Sequence, residues 1–542
     1  MHDTTVHDTA TPRGRTVALV MACVGAFVAY LPVTSVAVAL PAIQRALGGS
    51  TADLSWVSDA FVLPMGALIL TAGVVGAVAG LKKVYLAGLT FSAAGAAVAL
   101  SAHSIQVVWA GQALSGVGAA ALLPTTLALV THAVPDPRER GKFVGLWATA
   151  LLAPLAAGPF VSGLIMAHVS WRWIFLPAIP AAVAAMAVAA RLLADSRALG
   201  SRRLDWPGQA TAALAITSLV YGVIEGGAGS FGETRVIVAL VLAVVSGAAF
   251  VVTERRSSNP MLDLRLFSSP GFTATTVVAM ISFLSLIGVI FTLSLYLGQV
   301  QQLSTLQAAT RMLMVTSVPL VAGVPVGRLM NRVSVRLLIP GGLLIAAGAL
   351  LSMMTANADT SFGQLAWRLL LLGLGLGLVT TPMTATAVSS VPYRMAGMAA
   401  AGNSAFRQVG SALGPAILGA LLTSRAVSTL PDRIAGEGLG RAQEQAMTAA
   451  MHAGGFSAVG ALHLGPDYGR AMDALSSAFL DGFHLALLVS AALAVVAALV
   501  AVILLPRPRA AASTDPTRSA TEANATSPGT YHATQTTDTR TS

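Results

Sequence analysis

Very few ionisable residues interrupt the long apolar segments of this 542-residue chain. Asp59, in the segment WVSDAFVLP, is the only acid well inside an apolar segment of the first half. A carboxyl group removed from water can take up and release a proton, because burial disfavours its charged form. Asp59 is therefore a candidate for proton coupling. The alternative is a charge at the outer end of a helix, satisfied by nearby backbone and lipid headgroups.

No pattern typical of an enzyme accompanies this acid. The sequence contains no cluster of His and Asp, no metal-ligand spacing, no nucleophile motif and no phosphate-binding loop for ATP. The single cysteine, Cys23, excludes an internal disulfide and argues against a metal site built on cysteine. We therefore expect no catalytic residue, no metal and no cofactor.

The composition identifies the surroundings of these residues. Hydrophobic residues make up 55% of the chain and charged residues only 10%, whereas soluble proteins carry about 25% charged residues. The net charge of +10 forms no basic domain, which argues against a nucleic-acid partner. The chain is predicted to be an all-α protein of the lipid bilayer.

Fourteen apolar stretches are long enough to cross a bilayer, which takes about 20 residues of helix. They lie at about 16–41, 53–79, 83–103, 105–132, 143–168, 173–194, 206–226, 235–253, 272–298, 307–327, 335–356, 363–390, 403–424 and 483–505. The second stretch is expected to begin with a capping box made by Ser50 and Asp53.

The basic residues predict the orientation of these spans. An even number of spans places both termini on one side, and most of the 32 Lys and Arg residues fall in the tails and loops of that side. Since short cytoplasmic loops are enriched in Lys and Arg, both termini are predicted to be cytoplasmic and the membrane to be the cell membrane.

The same reading divides the chain. We predict a cytoplasmic N-terminal tail (1–15), a six-helix bundle (16–194), two linker helices (195–254), a second six-helix bundle (255–505) and a disordered cytoplasmic tail (506–542). The second bundle carries a long extracytoplasmic loop (425–481), in which GRAQEQAMTAAMHAG and GRAMDALSSAFLDG look helical and are expected to lie at the membrane surface.

Helix-breaking residues are concentrated in the fifth span. The segment GLWATALLAPLAAGPFVSGLIMAHVSWRWIF contains Gly145, Pro154, Gly158, Pro159 and Gly163. Membrane helices tolerate such residues because neighbouring helices supply the missing hydrogen bonds, and small residues let two helix backbones approach closely. The segment is therefore either a pivot for movement of the two bundles or a site of passive close packing.

Taken together, the motifs resemble the major facilitator superfamily, and within it the fourteen-span drug:proton antiporters. The fifth span resembles the antiporter motif of that family, although Pro154 and Ser162 replace its usual glycines. Further matches occur in the family's order: VALPAI (38–43), GVGAA (116–120), LDWPG (204–208), PMLDLRLF (260–267) and RQVGSALG (407–414). The resemblance implies two six-helix bundles plus two central helices, and export of an amphipathic small molecule.

The sequence departs from this family where the family carries charge. Pro32 stands at the usual acid of the first span and Gln112 at the usual arginine of the fourth. Ala77 and Asn331 replace the usual loop acids. Since loss of both members of a buried ion pair can be neutral while loss of one is costly, Pro32 and Gln112 are interpreted as a paired replacement.

The remaining polar residues complete the candidate site. Pro32, Gln112 and Arg311 are candidates for lining the substrate cavity. Arg311, near the outer end of the tenth span, is expected to reach the interface with its charged end, contact with an anion being the alternative. Arg407 begins the thirteenth span and is expected to brace the cytoplasmic gate.

The expected partners are therefore a small-molecule substrate, the lipid bilayer and protons, with the protein acting as a monomer. Drug or antibiotic export by proton antiport is the first hypothesis. A metabolite facilitator or importer, and a receptor or scaffold that has lost transport, remain as alternatives.

Overall fold

The computed structural model describes residues 12–505 except 135–136, 195–204, 259, 331, 393–394, 461 and 463–464. Within these ranges the chain is helical and contains no strand. The predicted disordered tail (506–542) and most of the predicted N-terminal tail lie outside the described residues. The first helix already begins at Pro12, so the last residues of the predicted N-terminal tail belong to it.

Fifteen α-helices occur in the described part of the chain. They are α1 (Pro12–Leu47), α2 (Thr51–Ala79), α3 (Leu81–Leu100), α4 (Ile105–Ala133), α5 (Pro137–His168), α6 (Ala178–Leu192), α7 (Trp206–Ala228), α8 (Thr234–Arg256), α9 (Pro270–Leu295), α10 (Thr305–Leu329), α11 (Val335–Met353), α12 (Phe362–Ser389), α13 (Ala396–Gly436), α14 (Arg441–Gly460) and α15 (Tyr468–Leu504). Three short 3₁₀ segments (Trp171–Phe175, Leu264–Ser268 and Gly465–Asp467) and a π-helical turn (Tyr296–Val300) connect them.

The predicted all-α membrane fold is confirmed. Twelve helices in the described ranges are long and apolar enough to cross a membrane. The long helices α5 and α10 occupy the two other predicted span positions. The capping box at the start of α2 is also confirmed, since Asp53 accepts a hydrogen bond from the Ser50 backbone and Ser50 accepts one from the Asp53 backbone.

Helix packing follows one pattern twice. In the first half α3 packs on α4, α2 on α4 and α1 on α5; in the second half α11 packs on α12, α10 on α12 and α9 on α13. The two sets meet where α2 contacts α13 and where α5 contacts α10. Helix α7 packs on α2 and α13, and α8 packs on α7.

The helices of the assembly run between two ends. The distal end contains the turn between α1 and α2 (48–50), and the proximal end contains the start of α1.

Prolines occur inside many of the helices, including Pro32 and Pro41 in α1 and Pro154 and Pro159 in α5. Each helix nevertheless continues past them, as expected where neighbouring helices supply packing and hydrogen bonds.

The predicted long loop at 425–481 differs from the structure. Helix α13 continues to Gly436 and α15 begins at Tyr468, so the second segment predicted to lie at the membrane surface is the first part of a continuous helix. The distal turns of α13 and α15 are joined by an ion pair. The Arg433 guanidinium donates two hydrogen bonds, of 3.0 and 2.7 Å, to the Asp481 carboxylate. A span predicted from hydropathy ends at such charged residues, whereas the observed helices continue past them.

Helix α14 and the distal turns of α13 and α15 form a cap at the distal end. Met447, Met451 and Phe456 of α14 are buried in one apolar cluster with Ile434 and Phe479. The Phe456 and Phe479 rings meet edge to face, with 4.9 Å between their centroids. This burial accounts for the position of α14, whose sequence is the least apolar of the long helices.

Candidate functional site

Asp59 is buried completely in the structure. It lies eight residues after the start of α2, so about 12 Å of helix separates it from the distal end at 1.5 Å per residue. Its exposed fraction is 0%. Neither carboxylate oxygen has a hydrogen-bond partner in the described part of the chain. An unpartnered polar group at this depth is unusual and is typical of functional positions.

The helical register places Asp59 at the contact between the two halves. Ser55 and Gly66, four residues before and seven after Asp59, share its face of α2. Ser55 donates a hydrogen bond of 3.3 Å to the Pro415 carbonyl of α13. A Cβ atom added to Gly66 would lie 3.1 Å from the Gln408 Cβ of α13. Asp59 therefore belongs to the face of α2 that packs on α13.

Gln112 lines a small cavity between α1, α2, α4 and α9. Its neutral side chain is 1% exposed, and its amide nitrogen donates a weak hydrogen bond of 3.4 Å to the Val57 carbonyl. Its amide oxygen has no partner among the described residues. The cavity, of ≈ 20 Å³, is also lined by Val36, Ser58 and Phe291, and it is large enough for about one water molecule.

Pro32 lies one helical turn before Val36 on α1 and is half-buried. It is absent from the described lining of the Gln112 cavity. The structure thus places both residues in the tightly packed first half, where α1 contacts α4. A neutral amide at position 112 needs no acidic partner, which agrees with the interpretation of the two positions as a paired replacement.

Helix α5 runs unbroken through its glycines and prolines. Pro154, Gly158, Pro159 and Gly163 are buried. Gly163 marks the contact with the other half, since a Cβ atom at this position would lie 2.7 Å from the Ala309 Cβ and 3.1 Å from the Leu306 Cα of α10. These distances are shorter than the usual carbon–carbon contact of 3.5–4.0 Å. Gly145 lies in the proximal part of the same helix.

The two predicted basic residues lie at different places in the second half. Arg311 is half-buried near the distal start of α10, where its guanidinium lies 5.7 Å from the Phe362 ring centroid and donates a hydrogen bond to the Gln301 side chain. Arg407 is half-buried eleven residues into α13, and not at the start of that helix as predicted. Its guanidinium lies 5.0 Å from the ring centroid of Phe283, which is in the middle of α9. The Arg407 Nε has no hydrogen-bond partner among the described residues. The structure does not bring Arg311, Arg407 and Asp59 together into one cluster.

Comparison with known proteins agrees with this architecture. The family model of the Major Facilitator Superfamily matches residues 22–415, which is more than half of the chain. The chain belongs to the Major Facilitator Superfamily. This membership makes it a membrane transporter by family.

Relatives and solved structures of the superfamily extend the match. The chain is 32% identical over 489 residues to the tetracenomycin C resistance and export protein of Streptomyces glaucescens, covering 89% of this chain and 90% of the relative. It is 32% identical over 388 residues to the methylenomycin A resistance protein of Streptomyces coelicolor, covering 71% and 81%. The fold is similar to a bacterial homologue of the human lysosomal transporter Spinster, solved in an inward-facing, unoccupied conformation (TM-score 0.62, 14% identity, covering 92% of this chain and 100% of that chain).

Four polar contacts between the halves of this superfamily member were missed by sequence reasoning. Gln408 donates a buried hydrogen bond of 3.0 Å to the Tyr30 hydroxyl. Ser55 contacts the Pro415 carbonyl as described, Ser294 donates to the Ala37 carbonyl, and Gln299 donates to the Gln44 side chain. Gln408 is the neighbour of the predicted Arg407 in the RQVGSALG motif. The motif therefore pointed to the position of Gln408, but Tyr30, which accepts its hydrogen bond, lies 378 residues away in the sequence.

Glu254 was also missed, because it lies just beyond the predicted end of the eighth span. It is 4% exposed, and its carboxylate accepts a hydrogen bond of 3.1 Å from the Leu262 backbone. A Cβ atom on Gly208 would lie 2.8 Å from the same carboxylate. Glu254 therefore connects the LDWPG and PMLDLRLF motifs at the proximal end of α7 and α8.

Proposed function

We propose that this protein exports an amphipathic small molecule, a drug or an antibiotic, across the cell membrane in exchange for protons, with both termini in the cytoplasm and a single chain as the working unit. The observation that carries export is the similarity to the tetracenomycin C resistance and export protein along 89% of the chain. The apolar composition and the nearly uncharged interior favour an organic substrate over a multivalent ion.

Transport in this proposal proceeds by movement of the two halves. Contacts at α2–α13 and α5–α10 join them, and Gly163 lets α5 approach α10 closely. We assign Gly145, Pro154, Gly158, Pro159 and Gly163 to the moving interface. Small residues at such an interface let the backbones of two helices approach closely.

Coupling to protons is assigned to Asp59. The family's usual acid and arginine are Pro32 and Gln112 in this chain, so another group must change its protonation during the cycle. Asp59 is fully buried on the α2 face that packs on α13. A charge left unpaired at such a site is strongly unfavourable. Asp59 therefore carries a proton while the α2–α13 contact is closed and releases it when movement of the halves admits water.

The first experiment is a resistance assay. Expression in a sensitive host is expected to raise tolerance to at least one compound from a panel of aromatic and amphipathic antibiotics. The matched control is Gly163→Leu, which is expected to reach the membrane but to block the approach of α5 to α10. If a protein found in the membrane at normal amount raises no tolerance and moves no compound, the receptor or scaffold alternative replaces the proposal.

The coupling is tested in proteoliposomes with and without an imposed pH gradient. The gradient is expected to accelerate transport by the wild type. Asp59→Asn is expected to bind substrate but to ignore the gradient, whereas Asp359→Asn, a control in an exposed loop, keeps the response. A wild type that ignores the gradient is a facilitator. An Asp59→Asn variant that responds like the wild type locates coupling elsewhere.

A further inference from the structure

Two arginines without an acidic partner lie at the distal end of the second half. Arg311 is the seventh residue of α10 and Arg368 the seventh residue of α12, so about 9 Å of helix separates each from the distal start of its helix. Neither forms an ion pair with a described residue. Asp359, in the turn between α11 and α12, is exposed and forms none within the same ranges either. Two positive charges therefore lie here without pairing to a described acid.

The packing of α10 on α12 brings these two arginines to the same level. Both helices start at the distal end, and a Cβ atom added to Gly373 of α12 would lie 2.6 Å from the Val315 carbonyl oxygen of α10. One helical turn nearer the distal end, this pairing places Arg311 beside the turn of α12 that contains Arg368. The Tyr296 hydroxyl is within electrostatic range of both guanidinium groups. The two charges therefore act on one region of the protein.

The two guanidinium groups differ in their access to a ligand. The Arg368 Nη2 donates a hydrogen bond of 2.9 Å to the Thr355 hydroxyl, and its Nε and Nη1 are enclosed without a partner among the described residues. Arg368 therefore contributes charge and no contact. The Arg311 guanidinium donates one hydrogen bond, to the Gln301 side chain. Its Nε and Nη2 make none within the described chain and are not enclosed by it, so they are available to a ligand.

The orientation of Arg311 is fixed by the turn that follows α11. The Gln301 Nε2 donates a hydrogen bond of 2.9 Å to the Thr360 carbonyl. The Gln301 Oε1 therefore faces Arg311 and accepts from it. An arginine held at one end in this way loses less side-chain freedom when its remaining donors bind an anion.

The surroundings of this arginine pair are those of a membrane interface. Phe362 and Trp367, which lie within 6 Å of Arg311 and Arg368 respectively, are each 47% exposed. Aromatic residues of this kind are enriched at the level of lipid headgroups. Helix α12 has 28 residues and is about 42 Å long, about 12 Å longer than the hydrocarbon core of a bilayer. If the helix is centred, both arginines lie close to the boundary between acyl chains and headgroups, which their side chains can reach.

A phosphate group on an anionic lipid fits this charge and this depth. Guanidinium groups donate hydrogen bonds in the fork geometry that phosphate oxygens accept. Phospholipids present phosphate at the headgroup level, whereas a free anion must be taken from bulk solution. A zwitterionic headgroup adds a positive group to a region that already contains two unpaired arginines. An anionic headgroup adds none and is therefore favoured.

We infer that Arg311, supported by the charge of Arg368, binds the phosphate group of an anionic phospholipid in the distal leaflet. In the proposed function this is the outer leaflet of the cell membrane. The site itself lies away from the cavity at Gln112 and from Asp59, and lipid binding to it requires no transport.

Quenching of tryptophan fluorescence in reconstituted bilayers tests this inference on the full chain. The probes are phosphatidylglycerol and phosphatidylcholine with the same brominated acyl chains, mixed at increasing fractions into bilayers of unbrominated phosphatidylcholine. Trp367 reports on the site, because its ring centroid lies 5.4 Å from the Arg368 guanidinium. Its share of the signal is the difference between the protein and its Trp367→Phe variant. Phosphatidylglycerol is expected to be preferred by about fivefold or more, the factor that one arginine contributes near a charged lipid surface.

Three variants make the result specific to this arginine. Arg311→Gln is expected to lower the preference for phosphatidylglycerol about fivefold, whereas Arg311→Lys, which keeps the charge, is expected to retain most of it. The matched control is Arg235→Gln at the distal start of α8. It removes a distal arginine that is already paired with Glu233 and Glu225, and the preference is expected to stay unchanged.

Three results would contradict this assignment. Equal quenching by the two brominated lipids in the wild type excludes recognition of headgroup charge. An Arg311→Gln variant with the preference of the wild type excludes Arg311 as the contact. If sodium phosphate lowers quenching by phosphatidylglycerol more than sodium chloride does at equal ionic strength, the site takes free phosphate and not a lipid. These measurements need no transported compound, so their failure is distinguishable from failure of the resistance assay.

Discussion

Gly163→Ala is expected to open the distal end of the protein. The added methyl carbon would lie 2.7 Å from the Ala309 Cβ, 3.1 Å from the Leu306 Cα and 3.3 Å from the Thr305 carbonyl oxygen. Because carbon atoms pack at about 3.5–4.0 Å, α5 and α10 must separate by about 1 Å to accept it. Two of the three obstructing atoms belong to the α10 backbone and cannot rotate away.

The energy of this change follows from measured costs of overpacking. Extra methylene groups in a well-packed interior cost about 1–3 kcal/mol. The cost is expected to fall only on the state in which α5 and α10 are in contact at the distal end. The equilibrium between that state and one with the distal end open then moves toward the open state by about 5- to 140-fold, since 1.4 kcal/mol corresponds to a factor of ten. Ala309→Gly combined with Gly163→Ala removes the nearest obstructing atom and is expected to recover part of the shift.

Distances between spin labels measure the opening directly. Labels at His103→Cys and Asp359→Cys, in a Cys23→Ser background, occupy exposed distal positions in the first and second halves. Gly163→Ala is expected to add a longer distance to their distribution. Gly348→Ala is the matched control, because no atom lies within 4 Å of a Cβ added there. If Gly163→Ala and Gly348→Ala give the same distribution, the α5–α10 contact does not hold the distal end closed.

Three further outcomes are expected. Gly158→Leu and Pro159→Leu should abolish transport while the protein still reaches the membrane, and normal transport by both would make the segment passive packing. Reporters inserted at 438–440, between α13 and α14, should lie outside the cell and reporters at the C terminus inside; a cytoplasmic signal at 438–440 contradicts the topology. Gln408→Leu leaves the Tyr30 hydroxyl buried without its partner and should lower the free energy of unfolding by about 1–3 kcal/mol, whereas adding Tyr30→Phe should recover part of the loss in thermal unfolding.

The sequence was a good guide wherever local physics decides the structure. Long apolar stretches marked the helices, because a bilayer imposes both their length and their composition. The capping box of Ser50 and Asp53 was predictable because all its atoms lie within four residues. The ends of α13 and α15 were not, since charged turns such as those with Arg433 and Asp481 pair with each other instead of ending their helices.

The burial of Asp59 was predictable from the sequence, but the contacts around the candidate residues were not. Asp59 was singled out by its surroundings in the sequence, yet the α13 face opposite it could be identified only from the packing of Ser55 and Gly66. Gln299, which donates to Gln44 across the halves, carries no periodic signal, because the π turn that contains it depends on the loop that it enters. Contacts between positions hundreds of residues apart require the fold itself.

The chemistry of the contacts between halves has a consequence for transport. The four polar contacts described between the first six and the last six spans are all neutral hydrogen bonds, and no ion pair that joins two described residues crosses between these sets. Each such bond contributes about 0.5–1.5 kcal/mol, so together they hold the halves by about 2–6 kcal/mol. Among the described residues, the proposed movement of the halves therefore breaks no buried ion pair, a step that would leave an uncompensated charge at a cost of about 3–5 kcal/mol. Replacement of the family's acid and arginine by Pro32 and Gln112 fits the same arrangement, and the proposed function assigns the change of charge at the α2–α13 contact to the buried Asp59.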